Sequence, residues 1–493
     1  MNTGTDPYAR SPRGMFVNRT LNLRSIRAIG YDMDYTLVHY KADEWERLAF
    51  IHARRRLAER GWPVKDLKFD ADSVTRGLAI DRESGNLVKA TRFGYVIRAA
   101  HGTRLLGYDE LRSAYAGVFV DLGEDRFEFM NTLFSLSEAA LLAGLVDLLD
   151  GGELPGRMTY ADLHDAVVDV IDESHNEGDL KREILTDPDR YIVRDPDTAL
   201  ALLDQRAAGK RLLLITNSEW EYARPIMTYS FDPYLPDGET WRDLFDTVIV
   251  SSAKPRFFSS RNPLFRIIDE DAALLQPHDG PLEDGAVYYG GNAGIVEERL
   301  DLAGDEILYV GDHLFGDVHV SKAMLRWRTA LILREMEPEV RALDDFLPEQ
   351  EKLNELMDQK QLLEARLASL RLAALRKRKK YTPPPSDVAP GDEAAVRKEL
   401  AALDELISPL AGASSRLRNP EWGPLMRAGV DKSLFARQVE RYADVYTSRV
   451  SNFLEPGPYA MLRAGRLDLP HDPHFRYEGH PGPDGGPGAP EPT

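Results

Sequence analysis

Two aspartates spaced two apart, Asp32 and Asp34, close the short apolar run Ile26-Arg27-Ala28-Ile29-Gly30-Tyr31, and Thr36 follows them. A strand gains no stability from an acid at its carboxyl end, and in open α/β sheets that end is where ligands bind. Two carboxylates there concentrate negative charge that a cation must neutralise. The chemistry such a pair can do is nucleophilic attack and general acid/base work beside one Mg²⁺. Aspartate also serves strand-end turns through local hydrogen bonds, so the pair alone fits either role.

Three further segments carry complementary groups. Thr216-Asn217-Ser218 follows the apolar run Arg211-Leu212-Leu213-Leu214-Ile215, Lys254 follows Asp246-Thr247-Val248-Ile249-Val250, and Asp312 to Asp317 follow Ile307-Leu308-Tyr309-Val310-Gly311. Asp32 is suited to attack phosphorus and form an aspartyl-phosphate. Asp34 is suited to protonate the leaving oxygen and then to activate water. Thr216, Asn217 and Ser218 offer hydroxyls and amides to phosphate oxygens, and Lys254 offers a point charge to the phosphoryl group and to Asp32. Asp312, supported by Asp317, completes a hard-oxygen metal site beside Asp32 and the Asp34 backbone carbonyl. Singly, each has a plain reading as a helix cap, a surface lysine or a turn acid. Their joint arrival at four strand ends favours the chemistry.

The elements that must position these groups read as an α/β fold. Continuous apolar strands separated by helical stretches, with Thr329–Leu333 as a further strand, predict a Rossmann-like, doubly wound parallel sheet. The core is expected over 23–40 and 191–345, after an N-terminal arm over 1–22. Between its first two strands lies a large inserted α+β cap, 41–190, suited to cover a substrate. It opens with a helix from Lys41 that Gly61-Trp62-Pro63 stops. A turn at Ser84–Lys89 joins two strands, a capping box sits at Ser135-Leu136-Ser137-Glu138, and a helix runs from Tyr160 to Glu177. Residues 346–470 read as a helical C-terminal region. It has one long helix over 346–380, a proline linker near 381–391, and helices over 392–406 and 434–446. From 471 the chain is Pro/Gly-rich and reads as disordered. The basic run Arg376–Lys380 reads as a solvated helix end.

Composition limits the alternatives. The 493 residues carry a formal charge of −19, which argues against nucleic-acid or anionic-membrane binding over the whole surface. No cysteine is present, so disulfides, cysteine-ligated zinc and thiol catalysis are excluded. Residues 1–20 show no apolar signal segment and no apolar run reaches membrane-spanning length, which sets a cytoplasmic expectation.

The motifs resemble those of the haloacid dehalogenase superfamily: Asp32-Met33-Asp34-Tyr35-Thr36-Leu37, Thr216-Asn217-Ser218, Lys254, and Gly311-Asp312-His313-Leu314-Phe315-Gly316-Asp317. Longer segments are similar to the cytosolic purine 5′-nucleotidase family, the kind preferring IMP and GMP. These are Gly85–Lys89, His101-Gly102, Asn131–Phe134, Ile226–Tyr229 and Phe435–Asp444, and the resemblance spans about 15 to 470. It implies Mg²⁺-dependent hydrolysis of purine nucleoside monophosphates through an aspartyl-phosphate at Asp32. It also implies phosphotransfer to a nucleoside acceptor, a nucleotide effector and a homotetramer. For the base it implies stacking on Phe134, with Asp172, His175 and Lys181 nearby. Anchoring the comparison on Lys181 leaves Val168 where the family has Arg, while anchoring on Asp165-Ala166-Val167 puts His164 there. For the effector it implies Asn131, Phe315, Gln438 and Tyr442, with Ala323, next to Lys322, where the family has Lys. A phosphatase for another phosphomonoester, or a non-catalytic regulatory protein on the same fold, stays open beside this reading.

Overall fold

The computed structural model describes residues 11–176, 178–381 and 392–465. The first residues of the expected arm, Glu177, the linker prolines Pro383–Pro385 and the tail from 471 lie outside the described residues. The chain divides into two compact units, residues 1–39, 194–334 and 442–493 in one and 40–193 with 335–441 in the other.

The first unit is built on a ten-stranded sheet. Its order is Phe16–Val17, Val445–Thr447, Arg328–Ile332, Ile307–Gly311, Ala28–Tyr31, Arg211–Ile215, Thr247–Val250, Val287–Gly290, Leu264–Asp269, Leu274–Pro277. The strands from Val445–Thr447 through Val287–Gly290 are parallel, and the flanking ones antiparallel. The four strands expected to carry chemistry are all buried apolar runs, as strands covered on both faces must be. On one side Ala28, Leu213, Ile215, Ile249, Ile307 and Tyr309 join Phe257, Phe258 and Trp327 in a closed core.

The second unit pairs a five-stranded antiparallel sheet with helices. The sheet runs Arg104–Leu105, Val96–His101, Asn86–Ala90, Ala79–Asp81, Phe127–Phe129. The helices Ala42–Glu59, Ser135–Asp150 and Tyr160–Asn176 bury Phe50, Leu57, Leu141, Leu145, Leu163 and Val167 in a shared core. Leu347–Lys379 and Glu393–Ser414 form a helical hairpin around Leu353, Leu356 and Ile407.

Three expectations are corrected. Residues 335–345, expected in the core, and 346–441, expected in a helical C-terminal region, cluster with 40–193, while 442–465 of that region belong to the sheet unit. The helix expected over 434–446 stops at Tyr442, and Val445–Thr447 enters the ten-stranded sheet. Leu434–Tyr442 is amphipathic but the apolar residues after it alternate, which suits a strand. The capping box at Ser135 is absent: the helix begins at Ser135 itself, and the Ser137 N–H donates to Glu46 Oε2 at 2.9 Å. A distant carboxylate does the work expected of a local side chain.

Candidate active site

The register of the central strands brings the motif residues to one level. Tyr31 pairs with Leu214 on one side and Val310 on the other, so Asp32, Ile215–Thr216 and Gly311–Asp312 leave the sheet together. The Asp32 N–H donates to Val310 O at 2.9 Å, fixing the first residue past the strand. Asp32 Oδ1 then accepts from the Met33 N–H at 2.7 Å.

Lys254 reaches this point from the next loop. Ser251 (φ 47°) and Ala253 (φ 57°) take the left-handed conformation that non-glycine residues rarely adopt, which turns the chain back toward the sheet. The Asn217 side chain holds that turn: its Oδ1 accepts from the Lys254 N–H at 2.6 Å and from Ser252 Oγ at 3.0 Å, and its Nδ2 donates to Lys254 O at 3.0 Å. Asn217 was expected to meet phosphate through the amide after Thr216; its side-chain carboxamide is committed to the lysine loop.

The Lys254 ammonium lies 2.8 Å from Asp32 Oδ1, 2.9 Å from Asp317 Oδ1 and 3.0 Å from the Tyr309 hydroxyl, with its side chain only 4% exposed. Burial alone would lower the ammonium, but the charges of Asp317 and Asp32 outweigh it and hold it well above the usual lysine range. Burial raises Asp32 above the ordinary carboxylate value; Lys254 opposes that rise and Asp317 adds to it.

Asp312 directly follows the strand Ile307–Gly311, and Asp317 sits in the wide helical turn Leu314–His319 just after it. Asp317 Oδ2 accepts from the His313 N–H at 3.2 Å, and His313 Nδ1 accepts from the Gly316 N–H at 2.7 Å. A Cβ at Gly311 would collide with the Asp317 carboxylate, so glycine there leaves the acid its place. Asp32, Asp312 and Asp317 are all buried, and one carboxylate oxygen from each lies within 4.8 Å of the others. Three such acids facing one ammonium leave buried negative charge and hard oxygen donors, which fit a divalent cation of the Mg²⁺ type. The Asp34 carboxylate is not part of this trio. It accepts from Ser218 Oγ at 2.7 Å, while the Ser218 N–H donates to Thr216 Oγ1 at 3.1 Å. The Ser218 hydroxyl thus serves Asp34.

Sequence reasoning missed Tyr309. Its hydroxyl accepts from Lys254 and donates to Ile215 O at 3.0 Å. A Cβ built on Gly30 would come within 2.9 Å of the Tyr309 ring, so the glycine two residues before Asp32 makes the room. An aromatic inside a buried strand gives no signal in sequence that its polar end faces the site.

The residues expected at the base all fall in the second unit. Phe134 precedes the helix Ser135–Asp150 and meets Trp45 edge-on, ring centroids 5.6 Å apart. Asp172 is exposed on the helix Tyr160–Asn176, and burial together with Glu138 and Asp169 raises its pKa. His175 sits in that helix, its side chain outside the described part, and Lys181 lies in Asp179–Thr186. His164, the alternative at the family's Arg position, is buried and bonded to Glu138 at 3.1 Å.

Of the expected effector residues, Phe315 and Tyr442 meet in the sheet unit at 6.2 Å, with His319 4.1 Å from Tyr442. Lys322, next to the position where the family has Lys, is paired with the buried Asp444. Asn131 and Gln438 belong to the other unit.

A protein-family comparison matches residues 15–474 to the 5′ nucleotidase family. The human 5′-nucleotidase domain-containing protein 2 is 30% identical over 479 residues, covering 94% of this chain and 85% of the human one. The rat protein of the same name is 31% identical over 481 residues, covering 94% and 80%. Among solved structures, an archaeal β-phosphoglucomutase from Pyrococcus aligns with 62% of this chain and 86% of its own, at 10% identity and a TM-score of 0.30. A predicted phosphoglycolate phosphatase from Haemophilus somnus aligns with 62% and 85%, at 13% and 0.27.

Proposed function

Because the chain belongs to the 5′ nucleotidase family, we propose that it is a phosphoric monoester hydrolase of the haloacid dehalogenase type that removes phosphate from purine nucleoside 5′-monophosphates, IMP and GMP foremost. The observation that best supports the chemistry is the convergence of Lys254 with Asp32 and Asp317 at 2.8 and 2.9 Å, beside Asp312. Asp32, Asp312 and Asp317 would hold a Mg²⁺, whose charge offsets that of the phosphate.

Asp32 attacks phosphorus through one carboxylate oxygen as the bond to the ribose 5′-oxygen breaks. Lys254 offsets charge on the transferring oxygens, and the Thr216 turn offers hydroxyl and amide donors. Asp34, aimed by Ser218, gives its proton to the leaving oxygen. As a carboxylate it then takes a proton from the water that attacks the aspartyl-phosphate, releasing orthophosphate and free Asp32. A nucleoside 5′-hydroxyl in place of that water completes phosphotransfer instead. The purine preference, an effector site around Phe315 and Tyr442, the homotetramer and the cytoplasmic location rest on the family resemblance. No described helix is long and apolar enough to cross a membrane.

The test is phosphate release by purified protein with Mg²⁺ across IMP, GMP, AMP, pyrimidine monophosphates and sugar phosphates. IMP and GMP should lead. Equal rates on all would remove the nucleotide reading and leave a general phosphatase. Asp32→Asn should abolish turnover while the protein stays folded, and chelation of the metal should do the same reversibly.

A further inference from the structure

We propose that Tyr309 is a positioning residue for Lys254, tying the lysine to the strand end that carries the phosphate-binding turn. The polarity of the link is fixed by chemistry. An ammonium can only donate, so the Tyr309 oxygen must accept from Lys254 Nζ at 3.0 Å. Its own proton then goes to Ile215 O at 3.0 Å, the carbonyl immediately before Thr216. One hydroxyl therefore joins the loop bearing Lys254, the strand Ile307–Gly311 and the end of Arg211–Ile215.

The Lys254 ammonium has three hydrogens and three partners, Asp32, Asp317 and Tyr309. Two of these are anions that share their charge with whatever cation and phosphate the site holds. Tyr309 is the neutral partner, and burial pushes its phenol well above the usual range, so it keeps its proton. It can hold the ammonium by one hydrogen while the others turn toward a phosphoryl group. The ring is locked for this role: Phe258 packs against it edge-on at 5.0 Å and Trp327 at 6.1 Å, and Gly30 leaves space on the remaining side. Tyr309→Phe keeps all of that packing and removes only the hydroxyl.

This inference rests on the phosphoryl-transfer reading of the site, but not on the nucleotide as substrate. The experiment therefore follows two readouts in the full-length protein with Mg²⁺: turnover of IMP and of p-nitrophenyl phosphate, and calorimetric binding of inorganic phosphate. Tyr309→Phe should lower kcat about tenfold with KM little changed, since a hydrogen bond to a charged group is worth roughly a decade in a rate. Phosphate affinity should fall in the same variant. On the Lys254→Met background, Tyr309→Phe should cost nothing further in phosphate affinity, because the group it positions is gone. Wild-type kcat and phosphate affinity in Tyr309→Phe would overturn the proposal. So would an equal further loss on the Lys254→Met background, which would mark a merely structural role. Activity on p-nitrophenyl phosphate without activity on IMP would defeat the nucleotidase reading and leave the Tyr309 comparison intact.

Discussion

At the scale of single residues, each charged group at the site has a neutral neighbour that decides where it points. Ser218 aims Asp34, Asn217 holds the lysine loop, and Gly30 and Gly311 vacate space for Tyr309 and Asp317. Ser218→Ala should therefore reduce kcat by roughly 10- to 100-fold, less than the roughly 100- to 10,000-fold that general acid–base catalysis supplies because Asp34 itself remains, with little change in Tm. Asp34→Asn should harm IMP hydrolysis far more than p-nitrophenyl phosphate hydrolysis, since nitrophenolate leaves without needing a proton. Equal losses on both substrates in kcat/KM, which reports the step that forms the aspartyl-phosphate and expels the leaving group, would take the general-acid role away from Asp34. The acids, Thr216 and Lys254 were legible in sequence because complementary types arrive together at four strand ends, although each alone has a plain reading. What the Asn217 side chain does was not legible, because a carboxamide after a strand gives no sign of the loop it will hold. Tyr309 was not legible, because the period of a buried strand says which side chains are inside and nothing of where a hydroxyl at their tip arrives.

At the scale of elements, strand boundaries followed from apolar runs, while helix ends depended on partners far along the chain. The helix Ser135–Asp150 is the clearest case. Its first turn is served by Glu46 of the helix Ala42–Glu59, a fully buried acid whose pKa burial pushes up to about 8, the Ser137 N–H opposing. A pKa raised on folding means the native state keeps a proton that the unfolded chain gives up near 4.5. The stability this contributes is complete below about 4.5 and is lost as pH climbs through about 8. Glu46→Gln keeps a neutral acceptor for Ser137 at every pH. In thermal melts from about pH 5 to about pH 9, wild type should lose Tm relative to that variant as pH rises. Parallel Tm curves for the two proteins would show that Glu46 is not the group concerned.

At the scale of the whole molecule, both units are assembled from segments distant in sequence; the motif strands announced the join of 23–40 with 191 onward, but no local pattern announced that 335–441 belongs with 40–193. The second unit shows how the segments are joined. The buried Lys89 donates to the carbonyls of Trp422 and Pro424, each at 2.6 Å, and the Glu339 carboxylate accepts from the Leu425 and Met426 amides. Lys89→Met strips the donor from two buried carbonyls at about 1–3 kcal/mol each, which urea titration should register as a lowered midpoint. Near-wild-type stability would mean that other contacts hold this loop. The sheet of the first unit carries a consequence for biosynthesis. Among the described residues Phe16–Val17 pairs with Val445–Thr447, and Leu21–Asn22 pairs with Met461–Leu462. Both strands must wait for residues beyond 440 to be translated before they find partners. A nascent chain halted near residue 345 has neither partner strand, so it should remain protease-sensitive and a client of chaperones until Val445–Thr447 and Met461–Leu462 have emerged.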